Sequence, residues 1–195
     1  LDPQRYVYLD GCVRREAPYI VPDFPRHNEA PLIYISFGSL GAADTEMMKR
    51  LIGTVETLPY RFLINVGAYR DMYTTVPDNV YLDSWFAQPA VLKECELFIH
   101  HGGNNSFCEA LYFGLPSLII PYCWDGHDNA ARAEEVGVGR YLPRFADPLA
   151  ALPAALEQLL ADHGMKQRLK AFSERMQAIR GTDLAARAIL ALPDS

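Results

Sequence analysis

The stretch Leu97–Asn129, LFIHHGGNNSFCEALYFGLPSLIIPYCWDGHDN, decides the fold of this chain of 195 residues. Its apolar start, Leu97-Phe98-Ile99, predicts a buried strand. A helical pattern over residues 107–113 follows a pair of glycines. Gly114-Leu-Pro116 predicts where that helix ends, because glycine is favoured just past a helix and proline cannot continue one. The apolar run 117–120 predicts a second strand, so the stretch forms one βαβ unit.

Polar residues follow both of these predicted strands. His100, His101, Gly102 and Gly103 come after the first strand, and the polar loop 125–129 comes after the second. Ligands of open parallel sheets bind beyond the carboxyl ends of the strands. Glycines allow backbone amides to approach a ligand closely, and a helix N-terminus adds unpaired N–H groups with a partial positive charge. The sequence therefore predicts a phosphate site at the carboxyl ends of these two strands.

Strand and helix patterns alternate on both sides of this unit. The remaining predicted strands are 32–36, 60–66, 80–82 and 137–141, and the predicted helices are 45–58, 89–94, 130–136, 148–162, 165–179 and 184–192. The alternation predicts an α/β fold, a Rossmann-like doubly wound parallel sheet, over residues 32–195. Residues 37–41 are predicted as a turn, with Asp44 as the N-cap of the next helix. We expect residues 1–31 to form an irregular entry segment or interdomain linker.

Charge, hydropathy and cysteine content narrow the functional classes. The formal net charge of −6 argues against a general nucleic-acid binder, and no apolar run approaches the length of a transmembrane segment. Cys12, Cys95, Cys108 and Cys123 have no paired metal-ligand spacing, so we expect reduced, buried thiols in a cytoplasmic protein. The chain begins at Leu1, and we expect it to be a piece of a longer protein.

A series of motifs occurs in order between Leu32 and Arg140. They are Phe37-Gly38-Ser39, Trp85-Phe-Ala-Gln88, His101-Gly-Gly-Asn-Asn-Ser106, Glu109-Ala-Leu, Gly114-Leu-Pro116, Pro121, and Asp125 with Asn129-Ala after it. This series resembles the donor-binding signature of nucleotide-sugar glycosyltransferases with two facing Rossmann-like domains, the GT-B architecture. Within that class it resembles the family that uses UDP- or dTDP-sugars (family 1).

The resemblance implies the C-terminal, donor-binding half of an inverting hexosyltransferase, which moves a sugar from a UDP- or dTDP-sugar to an acceptor hydroxyl. It implies no metal and no cofactor besides the nucleotide sugar. The implied partner is an N-terminal acceptor-binding domain, in the same chain or in another subunit, which carries the general base. This domain alone is then expected to have little transferase activity.

Ser106 and Glu109 have two interpretations. Their Ser-x-x-Glu spacing is that of a capping box at the start of a helix. The resemblance instead implies that Glu109 accepts hydrogen bonds from the ribose hydroxyls and that Ser106 meets phosphate. A carboxylate suits a vicinal diol because it accepts two donors at once.

Both histidines could simply be satisfied residues at a strand end, and we expect this of His100. The resemblance implies that His101 contacts the diphosphate and stabilises the leaving group, without serving as the general base. It also implies that Gly103, Asn104 and Asn105 bind the donor.

Trp85 could be a core aromatic or an exposed ring. The resemblance implies that it stacks on the uracil or thymine base, with Gln88 close to the nucleoside. Backbone groups around Phe86 would meet the base edge, while the Phe86 side chain only fills space.

Gly38 and Ser39 could form an ordinary turn between a strand and a helix, and the resemblance implies that Ser39 donates to phosphate. Asp125 and Asn129 could be turn or helix-cap residues, and the resemblance implies that Asp125 holds hydroxyls of the donor sugar. The family usually has Gln after this Asp, whereas this chain has Gly126, so one side chain that contacts the sugar is absent. This difference favours a deoxysugar or another hexose over plain glucose.

Three other functions remain open from the sequence. The chain could be a separate donor-binding subunit of a heteromeric glycosyltransferase. It could also be a non-catalytic nucleotide-binding module, or a UDP-sugar epimerase built on the same two-domain plan.

Overall fold

The computed structural model describes residues 6–7, 9, 11–145 and 147–191. Its strands are β1 (Leu32–Ser36), β2 (Arg61–Asn65), β3 (Val80–Asp83), β4 (Leu97–His100), β5 (Ser117–Ile119) and β6 (Gly139–Tyr141). Its α-helices are α1 (Gly38–Ala43), α2 (Thr45–Glu56), α3 (Gln88–Val91), α4 (Asn104–Phe113), α5 (Asp125–Glu135), α6 (Pro148–Ala161), α7 (His163–Ala178) and α8 (Gly181–Leu190). A 3₁₀ helix covers Gly67–Met72.

The strands form one sheet in the order β3-β2-β1-β4-β5-β6, and every pairing is parallel. The strand order reverses between β1 and β4. The carboxyl ends of these two strands therefore open a crevice at the switch point, where doubly wound sheets bind ligands. The predicted α/β fold with a Rossmann-like doubly wound parallel sheet is confirmed.

Both faces of the sheet are covered by apolar side chains. All five residues of β1 are buried, with Ile33 and Ile35 in one core cluster and Leu32 and Tyr34 in the other. Alternate strand residues point to opposite faces, so a strand with helices on both sides is apolar throughout. This burial explains why the continuous apolar run of β1 was a reliable strand signal.

Two predicted elements were wrong in type. The predicted turn 37–41 is mostly α1, and the predicted loop 125–129 forms the first turns of α5. The other elements occur where predicted, with ends displaced by a few residues. Asp44 caps α2 as predicted, since its side chain accepts a hydrogen bond from the Met47 N–H at 3.3 Å. Leu192, the predicted end of the last helix, lies outside the described residues.

The described residues before β1 pack against the sheet domain. Phe24 is 5% exposed and belongs to the core cluster of Leu32 and Tyr34. The Arg61 Nε donates to the Ala30 carbonyl oxygen at 2.8 Å, which ties this segment to β2. The domain boundary at residue 31 stays a prediction, but the segment before it shares the core of the domain.

Asn79 offers a test of how the edge strand β3 is held. Its side chain is fully buried, and its Nδ2 lies 3.0–3.1 Å from the carbonyl oxygens of Val55, Leu58 and Tyr60. Asn79→Ala removes the side-chain donor that these three carbonyls share, so we expect the free energy of unfolding to fall by about 2–4 kcal/mol. Urea denaturation measures this.

The control is Asn28→Ala at an exposed position, where the change should stay within about 0.5 kcal/mol. An equal effect of the two substitutions would contradict the role assigned to Asn79.

Candidate nucleotide site

Gly38 and His101 meet at the switch point of the sheet. Gly38 has a φ of +66°, and a Cβ atom there would lie 3.2 Å from the His101 Cε1. Any side chain at position 38 would therefore be strained in its backbone and crowded by the imidazole. The glycine lets the loop after β1 lie directly against the histidine that follows β4.

The imidazole of His101 is half-buried in this crevice. Burial lowers its pKa, while a hydrogen bond with the Ser36 backbone and the charge of Asp125 act in the opposite direction. The ring is therefore neutral at pH 7 and carries a single N–H, which can donate either to the Ser36 carbonyl oxygen or to a bound anion, but not to both.

The N-terminus of α4 lies next to His101 and is left open for a ligand. Its N-cap, Gly103, has no side-chain oxygen to offer, and the Asn104 N–H donates to the Asp125 Oδ2 at 3.0 Å. No side chain of the described residues accepts from the N–H groups of Asn105 and Ser106. Two unpaired donors and the positive end of the helix dipole thus meet at one point, which suits a phosphate group.

The start of α5 clamps this loop from the other side. Asn129 Nδ2 donates to the Gly102 carbonyl oxygen at 2.7 Å and to the Asn104 Oδ1 at 2.9 Å. Asp125 is a helix cap, but of α4 and not of the helix in which it lies. The N-terminus of α5 itself has no side-chain cap.

Gly102 and Gly126 make this approach possible. A Cβ at Gly102 would lie 2.9 Å from the Gly126 Cα, and a Cβ at Gly126 would lie 2.5 Å from the His101 carbonyl oxygen. Gly126 is therefore buried beneath the loop and fills a packing position.

The capping-box interpretation of Ser106 and Glu109 is wrong. The helix begins at Asn104, so both residues lie inside it, one of them at the end of the first turn. Glu109 instead accepts a hydrogen bond from the Gln88 Nε2 at 2.7 Å, and the same nitrogen lies 3.3 Å from the Ser106 Oγ. The sequence motif around Gln88 and the one around Glu109 are thus brought together.

Burial raises the pKa of the Glu109 carboxyl, while the Gln88 hydrogen bond and the charge of Arg14 lower it and the charge of Glu16 raises it. The Glu109 Oε1 receives no hydrogen bond from the described residues. One oxygen is therefore oriented by Gln88, and the other can accept from a ligand hydroxyl.

Trp85 and Phe86, in the loop after β3, differ in their exposure to solvent. Trp85 is 64% exposed, so the core interpretation of this residue is wrong. Phe86 is 4% exposed and packs edge-on against the Tyr34 ring, with the ring centroids 5.4 Å apart. The buried Phe86 anchors the loop and thereby presents the Trp85 indole to solvent, where its face can stack on a planar ring.

A cavity of about 220 Å³ lies beside His101 at the mouth of the crevice. Its lining residues are Phe37, Gly38, Ser39, Leu40, His101, Tyr122, Cys123, Trp124 and Asp125. The motifs in the sequence did not reveal the apolar residues of this wall, Leu40, Tyr122 and Trp124. Trp124 is 77% exposed and has a φ of +49°, and no pattern in the sequence signals that backbone conformation.

The cysteines differ from the expectation of buried thiols. Cys95 is buried, but Cys12 and Cys108 are exposed and Cys123 is half-buried. Cys108 lies on the outer face of α4, which its apolar neighbours in the sequence do not reveal.

No three His, Cys, Asp or Glu side chains within the described ranges are grouped so as to hold a metal ion. In those ranges, no helix combines the length and the apolar character needed to cross a membrane.

Gly126 and Gly53 form a matched pair for testing the clamp. A Cβ at Gly53, inside α2, would meet nothing within 4 Å. We expect Gly53→Ala to stabilise the domain by about 0.5–1 kcal/mol, whereas Gly126→Ala should destabilise it by about 1–3 kcal/mol because its methyl group strikes the His101 carbonyl. Urea denaturation of both variants checks the signs, and a stabilised Gly126→Ala variant would show that the two loops do not touch.

His100 predicts a pH dependence of stability. It is fully buried, its Nδ1 accepts a hydrogen bond from the Gly102 N–H at 3.0 Å, and burial lowers its pKa to about 3. The unfolded chain binds a proton at this residue near pH 6.5 and the folded chain does not. The free energy of unfolding should therefore fall as the pH drops from 7 to 5, by about 2 kcal/mol from this group.

The measurement is the free energy of unfolding against pH. His100→Asn keeps an acceptor for Gly102 but cannot titrate, so its slope should be shallower. His127→Asn at an exposed position is the control and should keep the wild-type slope. Parallel slopes for all three proteins would refute the assignment.

Comparison with known proteins places this chain in a family. A family model for the C-terminal domain of erythromycin biosynthesis protein CIII-like proteins matches residues 49–186. The NDP-glycosyltransferase YjiC of Bacillus subtilis (strain 168) is 30% identical over 161 residues, which cover 82% of this chain and 41% of that protein.

Two solved structures show the same fold. The glycotransferase of kitacinnamycin superposes with a TM-score of 0.84 at 24% identity, over 97% of this chain and 49% of that one. The spinosyn rhamnosyltransferase SpnG complexed with thymidine diphosphate superposes with a TM-score of 0.71 at 24% identity, over 88% of this chain and 50% of that one. The chain thus spans about half the length of these relatives. It belongs to the erythromycin biosynthesis protein CIII-like C-terminal domain family, and its sheet is that of the C-terminal half of GT-B glycosyltransferases.

Proposed function

We propose that this chain binds the nucleotide-sugar donor of an inverting glycosyltransferase. The observation that carries the proposal is a set of three different binding groups in the segments that follow β3 and β4. The open N-terminus of α4 beside His101 suits a diphosphate, the carboxylate of Glu109 suits a ribose diol, and the exposed ring of Trp85 suits a base. These three groups suit the three parts of a nucleoside diphosphate.

The diphosphate would be held without a metal ion. The N–H groups of Asn105 and Ser106 would donate to one phosphate, and the His101 imidazole from the same loop would contact the diphosphate. The Ser39 hydroxyl would donate from the facing segment after β1. As the sugar departs, negative charge develops on the diphosphate. Donors already fixed in place then stabilise the transition state more than the bound substrate.

The sugar would occupy the cavity beside His101. Leu40, Tyr122 and Trp124 make much of its wall apolar, and Asp125 is the carboxylate that faces it. Gly126 contributes no side chain to this wall, and its packing beneath the loop leaves no space for a larger residue. A largely apolar wall favours a sugar with few hydroxyl groups, and SpnG, which shares this fold, is named a rhamnosyltransferase. We therefore propose a deoxyhexose donor.

The acceptor site and the general base would belong to an N-terminal domain opposite this crevice. A general base must lie within hydrogen-bond reach of the acceptor hydroxyl, on the side of the sugar opposite the diphosphate. In-line attack from that side inverts the anomeric centre. We expect the protein to act in the cytoplasm. The isolated domain should bind the donor but transfer sugar only when it is joined to that partner.

Calorimetric titration with UDP, dTDP, GDP and NAD tests the nucleotide site. We expect saturable binding of UDP or dTDP. Glu109→Ala should weaken this binding at least about tenfold because two charge-assisted hydrogen bonds are lost. Trp85→Ala should weaken it about tenfold through lost stacking. Glu157→Ala, an exposed carboxylate on α6, is the control and should bind as the wild type does.

Equal affinity of the Glu109→Ala variant and the wild type would remove this residue from the ribose site. Binding of GDP or NAD in preference to the pyrimidine nucleotides would refute the proposed donor class.

A further inference from the structure

Tyr122, in the loop after β5, forms part of the wall of the cavity beside His101. Its ring packs against the Phe37 ring, with the centroids 5.8 Å apart, and a Cβ atom at Gly41 of α1 would lie 3.3 Å from the Tyr122 Cζ. The Tyr122 hydroxyl is buried and forms no hydrogen bond with the described residues. The position of this ring therefore depends on its packing contacts, because no hydrogen bond fixes it.

Arg144, in the loop after β6, supplies a further contact with this ring. The Arg144 guanidinium carbon lies 3.8 Å from the centroid of the Tyr122 ring. A guanidinium over an aromatic face is attracted by the π-electrons, and the attraction is stronger where the two groups are shielded from water. The Arg144 side chain is only 27% exposed, so this contact lies largely out of solvent.

Asp44 holds the Arg144 guanidinium in place. The Arg144 Nη2 donates to the Asp44 Oδ2, while the Asp44 Oδ1 accepts from the Met47 N–H as the N-cap of α2. The Asp44 side chain is 26% exposed, so water and salt screen this ion pair less than a pair on the open surface. Asp44 directly follows α1, whose first three residues line the cavity. These contacts therefore join the segment after β1 to the loops after β5 and β6.

We propose that Arg144 is a positioning residue of the sugar subsite: held by Asp44, its guanidinium fixes the Tyr122 ring as an apolar face against which the sugar packs. Arg144 lies outside the cavity wall, so it acts on the sugar through Tyr122. Trp85 and Glu109 take no part in this set of contacts, so the sugar rather than the nucleoside should be affected when Arg144 is replaced. The inference rests on the proposed nucleotide-sugar function and adds a residue from the loop after β6 to it.

The test compares nucleotides with nucleotide sugars. UDP, UDP-glucose, dTDP and dTDP-rhamnose are titrated by calorimetry into the wild type and into Arg144→Gln, Arg144→Lys and Arg140→Gln. Arg144→Gln should weaken binding of the nucleotide sugars about fivefold, because the cation over Tyr122 is lost, and should leave binding of UDP and dTDP unchanged. Arg144→Lys keeps the cation but not the flat guanidinium, so it should recover part of that affinity. Arg140→Gln replaces an exposed arginine of β6 and is the matched control, which should bind all four ligands like the wild type.

Asp44→Asn provides a second variant that leaves Arg144 itself intact. Asparagine keeps an acceptor for the Met47 N–H but removes the charge that holds the guanidinium, so the same selective loss of nucleotide-sugar binding is expected. Because the two substitutions break one set of contacts, combining Asp44→Asn with Arg144→Gln should weaken binding little more than Arg144→Gln alone.

Unchanged affinity of Arg144→Gln for the nucleotide sugars overturns the inference. Equal weakening of the nucleotides and the nucleotide sugars also overturns it, since the arginine would then support the fold or the phosphate site. A wild type that binds none of the four ligands refutes the proposed function instead, so the two failures are distinguishable.

Discussion

The hydrogen bond from the Asn104 N–H to the Asp125 carboxylate joins the two helices that begin at the carboxyl edge of the sheet. A helix normally takes its cap from the residue just before it, but Gly103 has no side chain to offer. The cap of α4 comes instead from the start of α5. Because Asn129 also holds the same loop, the orientation of the α4 N-terminus depends on where α5 lies.

This arrangement gives the crevice two kinds of contact with a ligand. Backbone groups at the α4 N-terminus form the centre, and their direction is set by the clamp. Side chains on either flank, Trp85 toward β3 and Trp124 toward β5, supply large exposed rings. The central groups can hold any diphosphate, so discrimination between nucleotides and between sugars depends on the flanks. The buried Phe86 anchors the loop that carries Trp85. Tyr122 anchors the loop that carries Trp124, and its ring centroid lies 3.8 Å from the Arg144 guanidinium carbon.

The sequence predicted the features that depend on local patterns. Continuous apolar runs identified the buried strands, and the spacing of Met47, Met48, Leu51, Ile52 and Val55 identified the buried face of α2. The start of α5 was missed because Asp125 and Gly126 are typical turn residues, while the reason for them lies in a loop more than twenty positions earlier. The Ser-x-x-Glu spacing was misleading for the same reason, since the partner of Glu109 is Gln88 on another helix. The motif resemblance pointed to residues that the fold does bring together, such as Gln88 and Glu109, but it could not show that the segment around Gly11 packs against Tyr112 of α4.

The strand order has a consequence for how the protein folds. The first three strands can form a parallel sheet by themselves, but β4 must return past β2 and β3 to pair with the far side of β1, about sixty residues away in sequence. Pairings of this kind close long loops and form slowly. Each half of the crevice lies at the end of one of these two strands, so a folding intermediate that holds only β1, β2 and β3 lacks the crevice. Capture of a nucleotide by the refolding chain would therefore mark the moment at which the two halves of the sheet join.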